Sequence, residues 1–197
     1  MVVRFLKEWK TLSKHHYFLA AKLPKEVKEF LKEWIEANKI DFPFARWVHH
    51  EDFHITLAFL GFAEENMKQE VIETMAQVLI DENPLTLTLN KIGTFGPHKK
   101  PRIFWADVEQ SEELIEVQKK VYRQCTNIGF QLDKKPFRPH ITLARKWHGE
   151  EDFDIGTLTN FDERLSFTVD EVVLYETHLD RTPKYHEYAR FSLGEGL

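Results

Sequence analysis

His54-Ile55-Thr56-Leu57-Ala58 and His140-Ile141-Thr142-Leu143-Ala144 are the same pentapeptide, written twice 86 residues apart. Each copy is short, apolar and β-branched, which is strand character. Side chains alternate faces along a strand, so His, Thr and Ala of each copy point one way while Ile and Leu point the other. Ile55, Leu57, Ile141 and Leu143 are thus expected in a core, and His54, Thr56, His140 and Thr142 on the opposite face. A lone strand histidine is more often structural than catalytic. A His-Thr face kept in both halves of one chain shifts that balance.

The repeat extends beyond the pentapeptide. A shift of 86 carries Tyr17–Lys22 onto Ile103–Val108, matching Phe18 to Phe104 and Ala20 to Ala106. The helix expected after Pro24, with Val27, Phe30, Leu31, Trp34 and Ile35 on one face, falls on a helix expected after Ser111. Ser111 is a natural N-cap and Gly129 a natural stop, and Gln118 is a polar break in that second stripe. Leu85–Leu89 falls on Glu171–Tyr175, the latter within a single strand expected over Ser166–Tyr175. A further helix is expected from Glu64 to about Asp81. The pattern predicts an α+β fold: a bilobal pseudo-twofold duplication, an antiparallel sheet with helices in each lobe, and a groove between the lobes. Residues 1–14 are expected as an N-terminal extension, and 15–197 as a single bilobal domain.

Composition narrows the classes. The chain has 197 residues, 42% hydrophobic and 30% charged, as an ordinary globular protein has. No apolar run is long enough to span a membrane, and the charged N-terminus lacks the pattern of a secretory signal. One cysteine, Cys125, excludes an internal disulfide. A cytoplasmic protein is expected, with no long heptad pattern to demand assembly, so a monomer. Net charge is −5, which disfavours a protein that coats nucleic acid through its phosphates, although a pocket gripping one phosphate needs only local donors. Lys99-Lys100-Pro101-Arg102 and Lys134-Lys135-Pro136-Phe137-Arg138 are equally compatible with guiding an RNA strand and with solvated loops. No P-loop is present, and His15-His16 and His49, His50 and His54 lack a metal-site spacing such as HExxH.

Two histidines facing one site suit acid–base chemistry, because an ordinary imidazole pKa of about 6.5 lets one accept a proton while the other donates. Threonine hydroxyls can donate to the nonbridging oxygens of a phosphate. Arg145, five residues after His140, would face away from the histidines in an unbroken strand and needs a bulge or twist to reach them.

The two His-Ile-Thr-Leu motifs resemble those of the two-histidine phosphoesterase superfamily. The stretches Arg46-Trp-Val-His-His-Glu-Asp-Phe-His-Ile-Thr-Leu-Ala-Phe-Leu-Gly61 and Phe137-Arg-Pro-His-Ile-Thr-Leu-Ala-Arg145, with Phe18–Pro24 and Val172–Glu176, are similar to its bacterial RNA 2′,3′-cyclic phosphodiesterase branch, once known as 2′-5′ RNA ligase. The resemblance covers roughly residues 15–193. It implies metal-independent hydrolysis, without a cofactor, of RNA or nucleotide 2′,3′-cyclic phosphate ends to 2′-phosphomonoesters. It implies His54 as proton donor, His140 as proton acceptor, Thr56, Thr142 and Arg145 as phosphate contacts, and Phe59 as a base contact, against which a core-facing Phe59 weighs at least as much. His178 stands where the family usually has Ser. The alternatives are 2′-5′ RNA ligase activity in the same groove, or a non-catalytic module that binds RNA ends or nucleotides.

Overall fold

The computed structural model describes residues 15–154, 156, 161 and 164–194, so the expected extension over 1–14 lies outside the described residues. The elements run β1 (His16–Lys22), α1 (Lys25–Asn38), β2 (Phe44–Trp47), β3 (His54–Phe62), α2 (Glu65–Leu79), β4 (Leu85–Phe95), β5 (Ile103–Val108), α3 (Glu112–Ile128), β6 (Ile141–Trp147), β7 (Ser166–Val169), β8 (Glu171–Thr177) and β9 (Tyr185–Ser192). Helix α3 forms between the expected signals. The Ser111 hydroxyl accepts the Leu114 N–H at 3.1 Å, and Gly129 ends the helix at φ 113°, a conformation glycine adopts without steric cost.

The strands pair antiparallel in the order β7-β4-β5-β6-β3-β1-β8-β9, with β2 beside β6. At the centre, β3 and β6 pair through Ile55 and Ile141, the same position of the two pentapeptides. That register places His54 and His140 symmetrically about the junction of two four-stranded halves. The fold is therefore the α+β duplication read from the sequence. Among the described residues, no helix is long and apolar enough to cross a membrane.

Two parts of the repeat alignment need correction. Ala21 pairs with Ile55 and Ala106 with Ile141, so β1 and β5 correspond at an offset of 85, one less than the motif offset. A one-residue slip reverses the faces of a strand. Phe18 consequently lies on the groove face beside Ala20, Val173 and Tyr175, while Phe104 is buried in the main core. Likewise, Val172 pairs with Ala21 and Ile92 with Ala106, so the counterpart of β8 is the second half of β4 rather than Leu85–Leu89. The single strand expected over Ser166–Tyr175 is broken at Asp170 into β7, which pairs with β4, and β8, which pairs with β1. Because these strands at opposite ends of the order are one residue apart, the sheet must wrap round to bring them together.

The helices knit the halves into one core. Trp34 of α1 lies 6.2 Å from Phe104 of β5, ring to ring, and Gln118 of α3 reaches β3, so each repeat's helix touches a strand of the other. Val27, Leu31, Val71, Met75, Leu114 and Val121 are fully buried in one core with Leu19, Ile55 and Ile141. Each such side chain contributes roughly 1.5–3 kcal/mol by leaving water.

Gln118 explains its own place on an apolar stripe. Between the pairs Leu19–Ala58 and Ala20–Thr56, strand β3 carries one extra residue, Leu57, whose carbonyl the β1 ladder leaves out. The Gln118 side chain donates to that carbonyl at 3.2 Å from a buried position. Gln118→Leu should therefore destabilise the protein by about 1–3 kcal/mol, the cost of an orphaned buried acceptor. Urea unfolding checks this, and an unchanged midpoint would show that the bulge does not depend on Gln118.

Candidate active site

The bulge at Leu57 has a twin. Strand β6 carries an extra residue at Leu143, between the pairs Phe104–Ala144 and Trp105–Thr142. Each bulge follows the threonine of its motif and reverses the alternation beyond it. Phe59 and Arg145, again 86 residues apart, are thereby turned out of the core face. Phe59 is 55% exposed and lines the groove with Thr56 and His140, which settles its position against the core-facing expectation. Arg145 is exposed and lies close enough to Tyr185 and to both histidines for its charge to act on them. The bulge that Arg145 needed is thus present.

The histidines are held alike. Nδ1 of His54 lies 2.7 Å from the Asp52 carbonyl, and Nδ1 of His140 lies 2.8 Å from the Arg138 carbonyl, each two residues upstream. A carbonyl only accepts, so Nδ1 carries a proton in both rings and Nε2 is the atom left for proton transfer. Nε2 of His54 is 3.0 Å from the Thr56 hydroxyl. Asp52 is itself buried, and its carboxylate accepts the backbone N–H groups of Lys184 and Tyr185 at 2.9–3.0 Å. It therefore ties the β8–β9 hairpin to the turn that sets His54. Tyr185 and Phe18 pack against the His54 ring at 5.1 and 4.8 Å, and Phe95 meets His140 edge-on at 5.0 Å.

Both imidazoles are pushed toward the neutral form. Burial lowers the His54 pKa to about 4, and the charges of His140 and Arg145 add to this against the Asp52 carbonyl. Burial also holds His140 below the ordinary value, helped by Arg145 and opposed by the Arg138 carbonyl and Asp107. In the free protein near pH 7 both rings are therefore neutral. A bound phosphate would favour protonation of either, since an anion stabilises the imidazolium.

The groove opens into a cavity of about 540 Å³ whose walls include Phe59, Phe95, Phe137, Arg138 and His140, a size suited to a small ligand with one polar end. Thr142 lies on β6, two residues after His140, opposite Trp105. Asp52, Tyr185, Phe95 and Asp107 escaped the sequence reading because no local pattern marks them. Tyr185, Phe95 and Asp107 come to the site only through pairing of distant strands, and the role of Asp52 shows only in its contact with the β8–β9 hairpin.

The other histidines lie elsewhere. His49 and His50 stack on each other at 4.4 Å, with His50 near Glu29 and Glu51. Among the described residues, His15, Glu176 and His178 bring ligand-type atoms within 4.8 Å of one another. They surround Tyr17, on the face of β1 opposite Phe18, and Glu176 already accepts hydrogen bonds from Tyr17 and His178. Cys125 is buried packing, its thiol pKa pushed up to about 12 by burial.

Comparison with known proteins agrees with this geometry. A family model described as the 2′-5′ RNA ligase superfamily matches residues 22–181. The RNA 2′,3′-cyclic phosphodiesterase of Geobacillus stearothermophilus is 42% identical over 195 residues, covering 94% of this chain, and the chain spans 62% of that relative's length. The Bacillus subtilis protein of the same name is 32% identical over 178 residues, covering 90% of this chain and 96% of its own. Among solved structures, E. coli LigT complexed with 3′-AMP superimposes with a TM-score of 0.76 at 25% identity, covering 91% of this chain and 98% of that one. The Thermus thermophilus protein TT0787 gives 0.74 at 26% identity, covering 91% and 99%.

Proposed function

The chain belongs to the 2′-5′ RNA ligase superfamily, and from that membership we propose that it is an RNA 2′,3′-cyclic phosphodiesterase, opening cyclic phosphate ends to 2′-phosphomonoesters. The observation that carries the reading is the pair of histidines set by one symmetric strand junction, each with Nδ1 tied to a carbonyl and Nε2 available. Water attacks phosphorus, and the P–O3′ bond breaks. His140 Nε2 takes the proton from water, and His54 Nε2 gives one to the departing 3′ oxygen, so the pair ends with its protons exchanged. Thr56, Thr142 and Arg145 supply donors to the nonbridging oxygens, where charge grows in the transition state. The apolar cavity beside Phe59 takes the nucleoside. His54 acts as the acid once the bound phosphate anion raises its proton affinity from the low value of the free protein.

All these groups come from residues 15–197 of one chain, which supports a monomeric catalytic unit. The single buried thiol suits a cytoplasmic enzyme that makes no use of disulfides. The test is incubation with an oligonucleotide ending in a 2′,3′-cyclic phosphate, with a chelator present, followed by identification of the product. A 2′-phosphomonoester formed at the same rate with and without chelator is expected. A 3′-phosphate, or activity abolished by the chelator, contradicts the proposal.

A further inference from the structure

Arg145, whose charge reaches both histidines, also lines a second pocket, of about 320 Å³, together with Arg46, Lys100, Pro101, Arg102, Lys146 and Trp147. Five of its seven lining residues are cationic and none is acidic, in a chain of net charge −5. Arg46 and Arg145 are directly opposed across the β2–β6 ladder, a placement that brings like charges together and costs stability. Lys146 sits at φ 64°, a left-handed conformation that a side chain other than glycine adopts only at a cost. Lys100 is fixed at the rim, its ammonium donating to the carbonyls of Gly149 at 2.9 Å and Glu151 at 3.2 Å. Among the described residues Arg46, Arg102, Arg145 and Lys146 form no ion pair, and cations crowded in this way on a strained strand end are what an anion would stabilise.

Arg145 joins this pocket to the site of the cyclic phosphate, so an anion held here belongs to the same ligand. From this arrangement, and resting on the function proposed above, we infer that the pocket formed by Arg46, Arg102, Arg145 and Lys146 binds the phosphodiester immediately upstream of the cyclic end. The preferred substrate is then an RNA strand rather than a cyclic mononucleotide. The chain's overall acidity confines this recognition to one or two phosphates, which leaves the rest of the strand unheld.

The experiment compares three substrates: a 2′,3′-cyclic mononucleotide, the dinucleotide ending in the same cyclic phosphate, and that dinucleotide with an uncharged methylphosphonate linkage. The natural dinucleotide should be turned over with about tenfold to hundredfold higher kcat/KM than the methylphosphonate, the range of a lost charge-assisted contact. Its rate should also fall more steeply with salt, by roughly 0.7 in log–log slope for each phosphate engaged. The double variant Arg46→Gln, Arg102→Gln should lose the distinction between the two dinucleotides while hydrolysing the mononucleotide as the native protein does. Equal kcat/KM for the two dinucleotides in the native protein overturns the inference, as does a variant that weakens all three substrates by the same factor. Should no substrate be turned over, the function proposed above fails. Calorimetric binding of the two dinucleotides still reads the pocket, with tighter binding of the charged linkage expected and equal binding contradicting it.

Discussion

Replacing His140 by alanine lowers kcat/KM for a 2′,3′-cyclic phosphate end by about 10²–10⁴-fold, and replacing His54 lowers it by a similar factor, because each removes one partner of a proton exchange. The loss should not come from unfolding. Both rings are only part-buried, each is anchored by one bond to a backbone carbonyl, and neither belongs to the main core. Truncation at these positions frees a carbonyl that water can reach, and it should leave the unfolding midpoint close to that of the native protein. The double variant should be little worse than either single one, since groups that act as a unit do not contribute additively. Near-native turnover by either single variant would remove that histidine from the mechanism. A collapse of both activity and near-ultraviolet circular dichroism would make its role structural.

The second large effect separates the two histidines. On a nucleotide ester of an acidic phenol the leaving group departs without a proton, so a general acid gains little there. His54→Ala should then recover most of its lost activity, with a deficit below about tenfold, while His140→Ala should keep the full 10²–10⁴-fold deficit. The two environments give the test its edge. His54 is packed by Phe18 and Tyr185, with Nε2 against Thr56, whereas His140 lies at the mouth of the apolar cavity within reach of Asp107. In the free protein burial holds His54 at a pKa of about 4, so the acid role assigned to it depends on the phosphate being present. Rescue of His140→Ala instead would exchange the roles and leave the pairing intact.

Much of this arrangement was legible in the residues themselves. The duplicated pentapeptide announced two equivalent strands, and its alternation placed His54, Thr56, His140 and Thr142 on one side. What it could not announce was the bulge after each threonine, since Leu57 and Leu143 look like ordinary core residues. The positions of Phe59 and Arg145 depend on those bulges. The one sequence trace of the first bulge is Gln118, a polar break on a helix that makes sense only when the orphaned Leu57 carbonyl is known. The slip that put Phe18 and Phe104 on opposite faces was hidden for a related reason. Motif spacing counts residues along the chain, while facing is set by pairing, and one residue of difference inverts it. Asp52 and Tyr185 illustrate the remaining limit: the two are 133 residues apart, and only the pairing of strands β3-β1-β8-β9 brings them together.

The most direct measurement of the paired-histidine account is kcat/KM against pH for the native protein and for each single alanine variant, with chelator present and chemistry rate-limiting. One ring must be neutral and the other protonated, so the native profile should be a bell. Burial lowers both rings below 6.5, which puts the peak on the acid side of that value. His54→Ala should lose the alkaline limb, because no acid remains to be deprotonated, and His140→Ala should lose the acid limb, because no base remains to be blocked. A monotonic native profile, or variants that each keep both limbs, would contradict the account.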